Sequence, residues 1–271
     1  MRLNMNKLLY WLLSAVLICC STMLTSCSDG EIEDNTLSDK IIGKWIIKER
    51  NDIPLTTNLK VVYSFVNKSD NIIVYRSLSQ EKGFWEAYQE MDCKIRGNTV
   101  YSTEKLDEHN SIVYEISFKT ITETELQCTV ITTMYEYDTP TQLISRDTER
   151  WVRLDEDYKS DIVGTWEGRV TSESSEFDDG ETHRWKYNND GTYEYQSQNE
   201  NGQWVSGKDS ISEYFVDGIL LCTRWINNNV ESREWWEIES INNGVMKWTA
   251  LRQYPNGKTY NASFSMTKVA E

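Results

Sequence analysis

Apolar and polar residues alternate with a period of two along much of this chain. The pattern is plain in Lys60-Val61-Val62-Tyr63-Ser64-Phe65, in Thr192-Tyr193-Glu194-Tyr195 and in Val245-Met246-Lys247-Trp248-Thr249-Ala250. Successive side chains of a strand point to opposite faces, so each run predicts a strand with one face buried. Turn pairs interrupt the runs: Asn189-Asp190-Gly191, Asp217-Gly218, Asn242-Asn243-Gly244 and Asn256-Gly257. Such pairs tolerate the positive φ of tight hairpins. Only three prolines occur, and no long run shows a helical stripe. Many short strands at regular spacing predict an all-β fold, an up-and-down antiparallel barrel whose closure removes the sheet edges.

The pattern is written twice. Ser38-Asp39-Lys40-Ile41-Ile42-Gly43-Lys44-Trp45 returns as Ser160-Asp161-Ile162-Val163-Gly164-Thr165-Trp166. Tyr63-Ser64-Phe65 matches Trp185-Lys186-Tyr187, and Gly83-Phe84-Trp85 matches Gly202-Gln203-Trp204. The turn Ile95-Arg96-Gly97-Asn98 matches Val216-Asp217-Gly218-Ile219. Glu115 to Ile121 matches Trp236 to Ile241, and both units close on an alternating strand, at Trp151-Val152-Arg153-Leu154 and at Phe264 to Val269. Self-similarity of this kind predicts two copies of one unit, residues 38–155 and 159–271, joined by Asp155-Glu156-Asp157-Tyr158.

A short Gly-x-Trp opening strand, hairpins, a Gly-containing turn in mid-unit and a closing strand resemble the lipocalin-like (calycin) barrels of bacterial lipoproteins. The resemblance implies two tandem barrels in which Trp45 and Trp166 plug the closed ends. The first unit departs from the pattern at one hairpin, where Lys68-Ser69-Asp70-Asn71 stands in place of Asp190-Gly191. Such a fold implies a cavity and no particular ligand.

The N-terminus has a different pattern. Arg2 and Lys7 precede the apolar run Leu8 to Cys20, and Leu24-Thr25-Ser26-Cys27 follows. A basic end, a short apolar core and small residues before a cut mark a secretory signal, too short for a membrane span. Ending in Cys, it resembles the bacterial lipoprotein signal. That resemblance implies that residues 1–26 are removed and Cys27 is lipidated, which makes the membrane a partner through this one residue. Several acyl chains on one residue hold far more firmly than one, since each buried methylene contributes about 0.8 kcal/mol. Residues 27–37 then form the lipidated Cys and an acidic tether. Acids just after the lipid Cys also resemble the export signal of surface-displayed Gram-negative lipoproteins.

Charge narrows the partners. The chain carries a net −15, and removing Arg2 and Lys7 with the signal leaves −17. This argues against nucleic acid and against electrostatic attachment to anionic lipid. Of six cysteines, Cys93, Cys128 and Cys222 remain beyond the lipid residue. Their spacing fits no zinc pattern, and each lies in an alternating apolar segment, so small buried residues are expected. A Cys93–Cys128 bridge is the alternative.

Catalytic signatures are scarce: no Gly-x-Ser-x-Gly elbow, no His-Glu-x-x-His and no phosphate loop. His109 and His183 read as solvated loop residues. The segment Glu176-Phe177-Asp178-Asp179-Gly180-Glu181-Thr182-His183 gathers carboxylates and an imidazole, but its spacing fits neither an EF-hand nor tetrahedral zinc. An acidic hairpin loop is the simpler reading, and no metal or cofactor is expected. Asp209-Ser210-Ile211 resembles a short O-glycosylation site of secreted bacterial proteins.

Tryptophan is the more useful signal, with seven of the eleven in the second unit. Trp236 shares a face with Ile238, and Trp248 with Met246 and Ala250, so both are expected to point inward. Trp235 then points outward with Glu237. Trp185 and Trp225 are placed near strand ends. Aromatics mostly fill small barrels, but those at a mouth can stack on an apolar ligand or a sugar ring. Trp185, Trp225, Trp235, Trp236 and Trp248 are therefore the candidate ligand contacts. The expected function is a non-enzymatic, outer-membrane-anchored binding module for a small apolar or glycan ligand. The alternative is a structural or inhibitory subunit of an envelope assembly, with solid barrels and an exposed aromatic patch around Trp225 and Trp235. An enzyme would require His183 and its acidic neighbours to converge on a pocket.

Overall fold

A computed structural model describes residues 35–68, 71–77, 89–170, 182–207 and 211–270. The expected signal, Cys27, Trp85, most of the acidic segment at 176–183 and Asp209-Ser210 lie outside the described residues. The architecture is all-β, in two antiparallel sheets, preceded by one short helix, α1 (Asn35–Ile41). The helix begins within the expected tether, and its Leu37 and Ile41 are buried in the first core.

The first sheet runs β1 (Gly43–Arg50), β2 (Ile53–Pro54), β3 (Val62–Lys68), β4 (Asn71–Ser77), β5 (Gln89–Arg96), β6 (Thr99–Lys105), β7 (Asn110–Ile121), β8 (Glu125–Glu136) and β9 (Thr139–Leu154). Each strand pairs with the next along the chain, save that β1 passes over the two-residue β2 to reach β3, and β9 returns to pair with β1. An eight-stranded barrel is thereby closed, which leaves no long edge unpaired.

The second sheet holds β10 (Gly164–Val170), β11 (His183–Tyr187), β12 (Tyr193–Gln198), β13 (Trp204–Ser206), β14 (Ile211–Asp217), β15 (Leu220–Asn227), β16 (Val230–Asn242), β17 (Val245–Gln253) and β18 (Thr259–Val269). It curls in the same sense, with β10 paired to β18 and with β13 and β14 as its edges. Among the described residues the two margins touch at one end only. There Thr192 bridges Glu213, and the Tyr214 amide donates to the Gly191 carbonyl at 2.7 Å.

The duplication holds down to register. Gly43, Lys44 and Trp45 face Phe65, Ser64 and Tyr63; Gly164, Thr165 and Trp166 face Tyr187, Lys186 and Trp185. Gly43 and Gly164 share φ values of +125° and +127°, a region reached almost only without a Cβ. Trp45 and Trp166 are fully buried. Their indoles donate to the carbonyls of Ile41 at 2.8 Å and Ile162 at 2.6 Å, which ties each opening segment to its barrel. A cation lies over each ring, Arg153 on Trp45 and Lys268 on Trp166. The predicted Gly turns at 191, 218, 244 and 257 all have positive φ.

A third apolar cluster joins the two sheets. Ile46 and Val62 on the outside of the first barrel meet Leu220, Cys222 and Trp235 on the outside of the second. Charges border it: Lys44 donates to Asp217 at 2.7 Å, and Lys48 and Lys60 both reach Glu237. This corrects one expectation about solvation. Trp235 does leave the barrel interior on the same face as Glu237, but it is 2% exposed, because the first barrel covers that face. An exposed patch around Trp225 and Trp235 therefore does not exist. Cys128 and Cys222 are buried, Cys93 is half-buried, and all three are free thiols, so Cys93 and Cys128 are not bridged. Burial pushes the Cys93 thiol up to about 12.

Candidate functional site

A cavity of about 300 Å³ opens inside the second sheet. Four of the five candidate tryptophans line it: Trp185, Trp225, Trp236 and Trp248. Trp235, on the outer face of β16, does not. The strand period explains the sorting, because residues 234, 236 and 238 of β16 point in and 235 and 237 point out.

The aromatic walls fix one another. Trp236 stacks on Trp248 at 5.4 Å and 20°, while Trp185 meets Trp248 edge-on at 5.3 Å and 84°. Phe264 stands nearly perpendicular to Trp248 at 5.7 Å. Such pairs contribute about 0.5–1.5 kcal/mol each beyond area burial, so the rings are held in place before anything enters.

Polar groups are set into these walls. His183 is 3% exposed, on β11 rather than in a loop as the sequence suggested. Its Nδ1 lies 2.8 Å from the Tyr195 hydroxyl. Glu234 accepts from the Trp236 indole at 3.2 Å and from Arg252 at 3.4 Å, and the Arg252 guanidinium lies over the Trp236 ring. Deeper, Tyr187 is 1% exposed, and burial holds its hydroxyl well above the usual tyrosine range, so it stays protonated. Neither the Tyr187 hydroxyl nor the Trp248 indole N–H has a hydrogen-bond partner among the described residues. Tyr187, Tyr195 and Glu234 were missed in the sequence, and His183 was placed in a loop. The only signal for them was the alternation of β11, β12 and β16, which places them on the inner face.

At the equivalent level the first barrel carries a polar network among its described residues. Register places Arg76 where the second barrel has Tyr195, Tyr114 where it has Glu234, and Glu104 where it has Trp225. Arg76 donates to Glu104 at 3.0 Å and to the Tyr114 hydroxyl at 2.9 Å, and Tyr114 donates to Glu104 at 2.7 Å. The three side chains occupy positions that the second barrel gives to cavity-lining residues.

His109 is exposed in the turn after Asp107 and stacks on Tyr137 at 4.4 Å. Among the described residues no three His, Cys, Asp or Glu side chains are grouped to hold a metal.

No protein-family model and no curated protein matches the chain. Two solved structures align to it at 12% identity each. One is a double mutant of the vaccine antigen transferrin-binding protein B from Haemophilus parasuis Hp5, aligned over 85% of this chain and 45% of that one, with a TM-score of 0.24. This chain therefore spans less than half of that antigen. The other is a candidate outer membrane protein from Bacteroides fragilis NCTC 9343, aligned over 86% and 99%, with a TM-score of 0.22. Likenesses this loose carry no argument about function.

Proposed function

We propose that this chain is a lipoprotein, anchored in the outer membrane through Cys27 and displayed at the cell surface, that binds a small ligand in its second barrel without transforming it. The cavity carries this reading, because four tryptophans selected from sequence meet in it. A subunit with two solid barrels would have no use for an open, partly polar interior. An enzyme would need a nucleophile or paired acid and base at the cavity. His183 and Glu234 both reach it, but the first pairs with the Tyr195 hydroxyl and the second with Arg252 and the Trp236 indole, not with each other. The sequence evidence for the anchor is Leu24-Thr25-Ser26-Cys27 and the acidic stretch behind it.

The test is a titration of intrinsic tryptophan fluorescence with fatty acids, haem and glycans. A saturable change is expected from one class, and it should be lost in Trp236→Ala. Silence toward all three would remove the support for a binding module.

A further inference from the structure

We infer that Trp225 is the ring that grips the ligand, and that the other three cavity tryptophans form the fixed surface it grips against. The inference deepens the binding reading and rests on it. Burial separates the rings first. Trp236 and Trp248 are each 2% exposed, while Trp225 is half-buried on the cavity wall.

The other three rings are already committed. Trp236 stacks on Trp248, carries the Arg252 guanidinium over its ring and donates to Glu234. Trp248 also meets Trp185, Tyr187 and Phe264 edge-on. Trp185 packs further against Tyr195 at 5.3 Å and Phe264 at 5.4 Å. Trp225 makes neither a ring contact nor a hydrogen bond among the described residues.

Register explains the difference. Residues directly opposite on neighbouring strands are a side chain's closest packing partners. Opposite Trp225 stand two serines, Ser212 on β14 and Ser232 on β16. Its neighbours on the same face of β15 are Thr223 and Asn227. None of the four offers an apolar surface of the size that fixes the other rings. Trp248, by contrast, stands opposite Ile238 and Phe264, and Trp185 opposite Trp166 and Tyr195. In the twin barrel the place of Trp225 belongs to Glu104, which Arg76 and Tyr114 hold. Leaving so large an apolar ring against open space forgoes the gain of packing it. A ligand lying on Trp225 recovers that gain, and the fixed rings receive it without rearranging.

The experiment incorporates fluorotryptophan into the full chain and follows its fluorine NMR spectrum with palmitate, Nile red and methyl glycosides of the neutral hexoses as probes. Trp225→Phe, Trp236→Phe and Trp248→Phe assign three resonances by their loss. The probe that binds should move the Trp225 resonance more than those of Trp236 and Trp248. Trp225→Ala should weaken that probe about tenfold with an unchanged thermal midpoint. Trp225→Phe, which keeps a ring, should retain most of the affinity. A bound probe that leaves the Trp225 resonance in place, or that binds Trp225→Ala as tightly as the parent, would overturn the assignment and leave the cavity reading standing. No response to any probe would overturn both.

Discussion

Glu237 is a single carboxylate that two lysines of the other barrel reach for. Burial alone raises its affinity for a proton, but Lys60 and Lys48 outweigh burial and hold the carboxyl below its usual range. Lys60 in turn is held below the usual lysine range, chiefly by its own burial. A carboxylate whose folded pKa is depressed stabilises the fold above its unfolded value, about 4.3. That contribution is lost as pH falls through the lower folded value. Glu237→Gln should therefore flatten the acid limb of the stability–pH curve. At neutral pH it should cost about 3–5 kcal/mol, since it leaves a buried ammonium without its carboxylate. Urea unfolding across pH 2–7 reads both effects. The buried trio of the first barrel makes a second case. Arg76→Met should cost about 3–5 kcal/mol, and adding Glu104→Gln should cost less than the two changes summed, because they share one network. Neither site was legible in the sequence. A charged residue in an alternating strand normally marks the wet face, and nothing local says that Glu237 faces a second barrel or that Arg76 and Glu104 face each other.

At the scale of the element, the sequence was far more informative. Tyr63-Ser64-Phe65 and Trp185-Lys186-Tyr187 face their Gly-x-Trp strands at the same register, because the period of two fixes which side chains share a face. The candidate site was half legible for the same reason. Counting by twos along β16 and β17 sends Trp236 and Trp248 inward, but it cannot say whether the space they face is filled. That depends on side chains from strands far apart in sequence. Gly168 shows how local that control is. It occupies the place of Ile47 in the first barrel, and a Cβ there would lie 2.2 Å from the Ser265 carbonyl and 2.7 Å from the Met266 side chain. Gly168→Ala should destabilise by about 1–3 kcal/mol through overpacking, read as a lowered thermal midpoint. Gly97→Ala offers a contrast: no heavy atom stands within 4 Å of its Cβ, so only the strain of φ +60° remains.

For the molecule as a whole, attachment and folding should be separable. Cys27 precedes both barrels and the helix that packs on the first. Cys27→Ser should therefore leave circular dichroism and thermal unfolding unchanged while the protein moves to the soluble fraction or persists as unprocessed precursor. Membrane fractionation and labelling with a fatty-acid analogue decide it, and undiminished labelling would refute the lipoprotein signal. The two barrels, by contrast, should not be separable. Each leaves apolar surface bare without the other: Ile46 and Val62 on one side, Leu220, Cys222 and Trp235 on the other. Their junction falls on β16, and that strand has two occupied faces. Glu234 and Trp236 look into the cavity, while Trp235 and Glu237 are held by the first barrel, whose short turn Thr57–Leu59 packs against the same strand. A wall shared in this way makes the two occupancies thermodynamic partners. Whatever affinity a ligand gains because the first barrel steadies β16, the docking of the barrels gains from the ligand in equal measure. The first barrel then serves as a counterweight that sets how firmly its twin would hold a ligand.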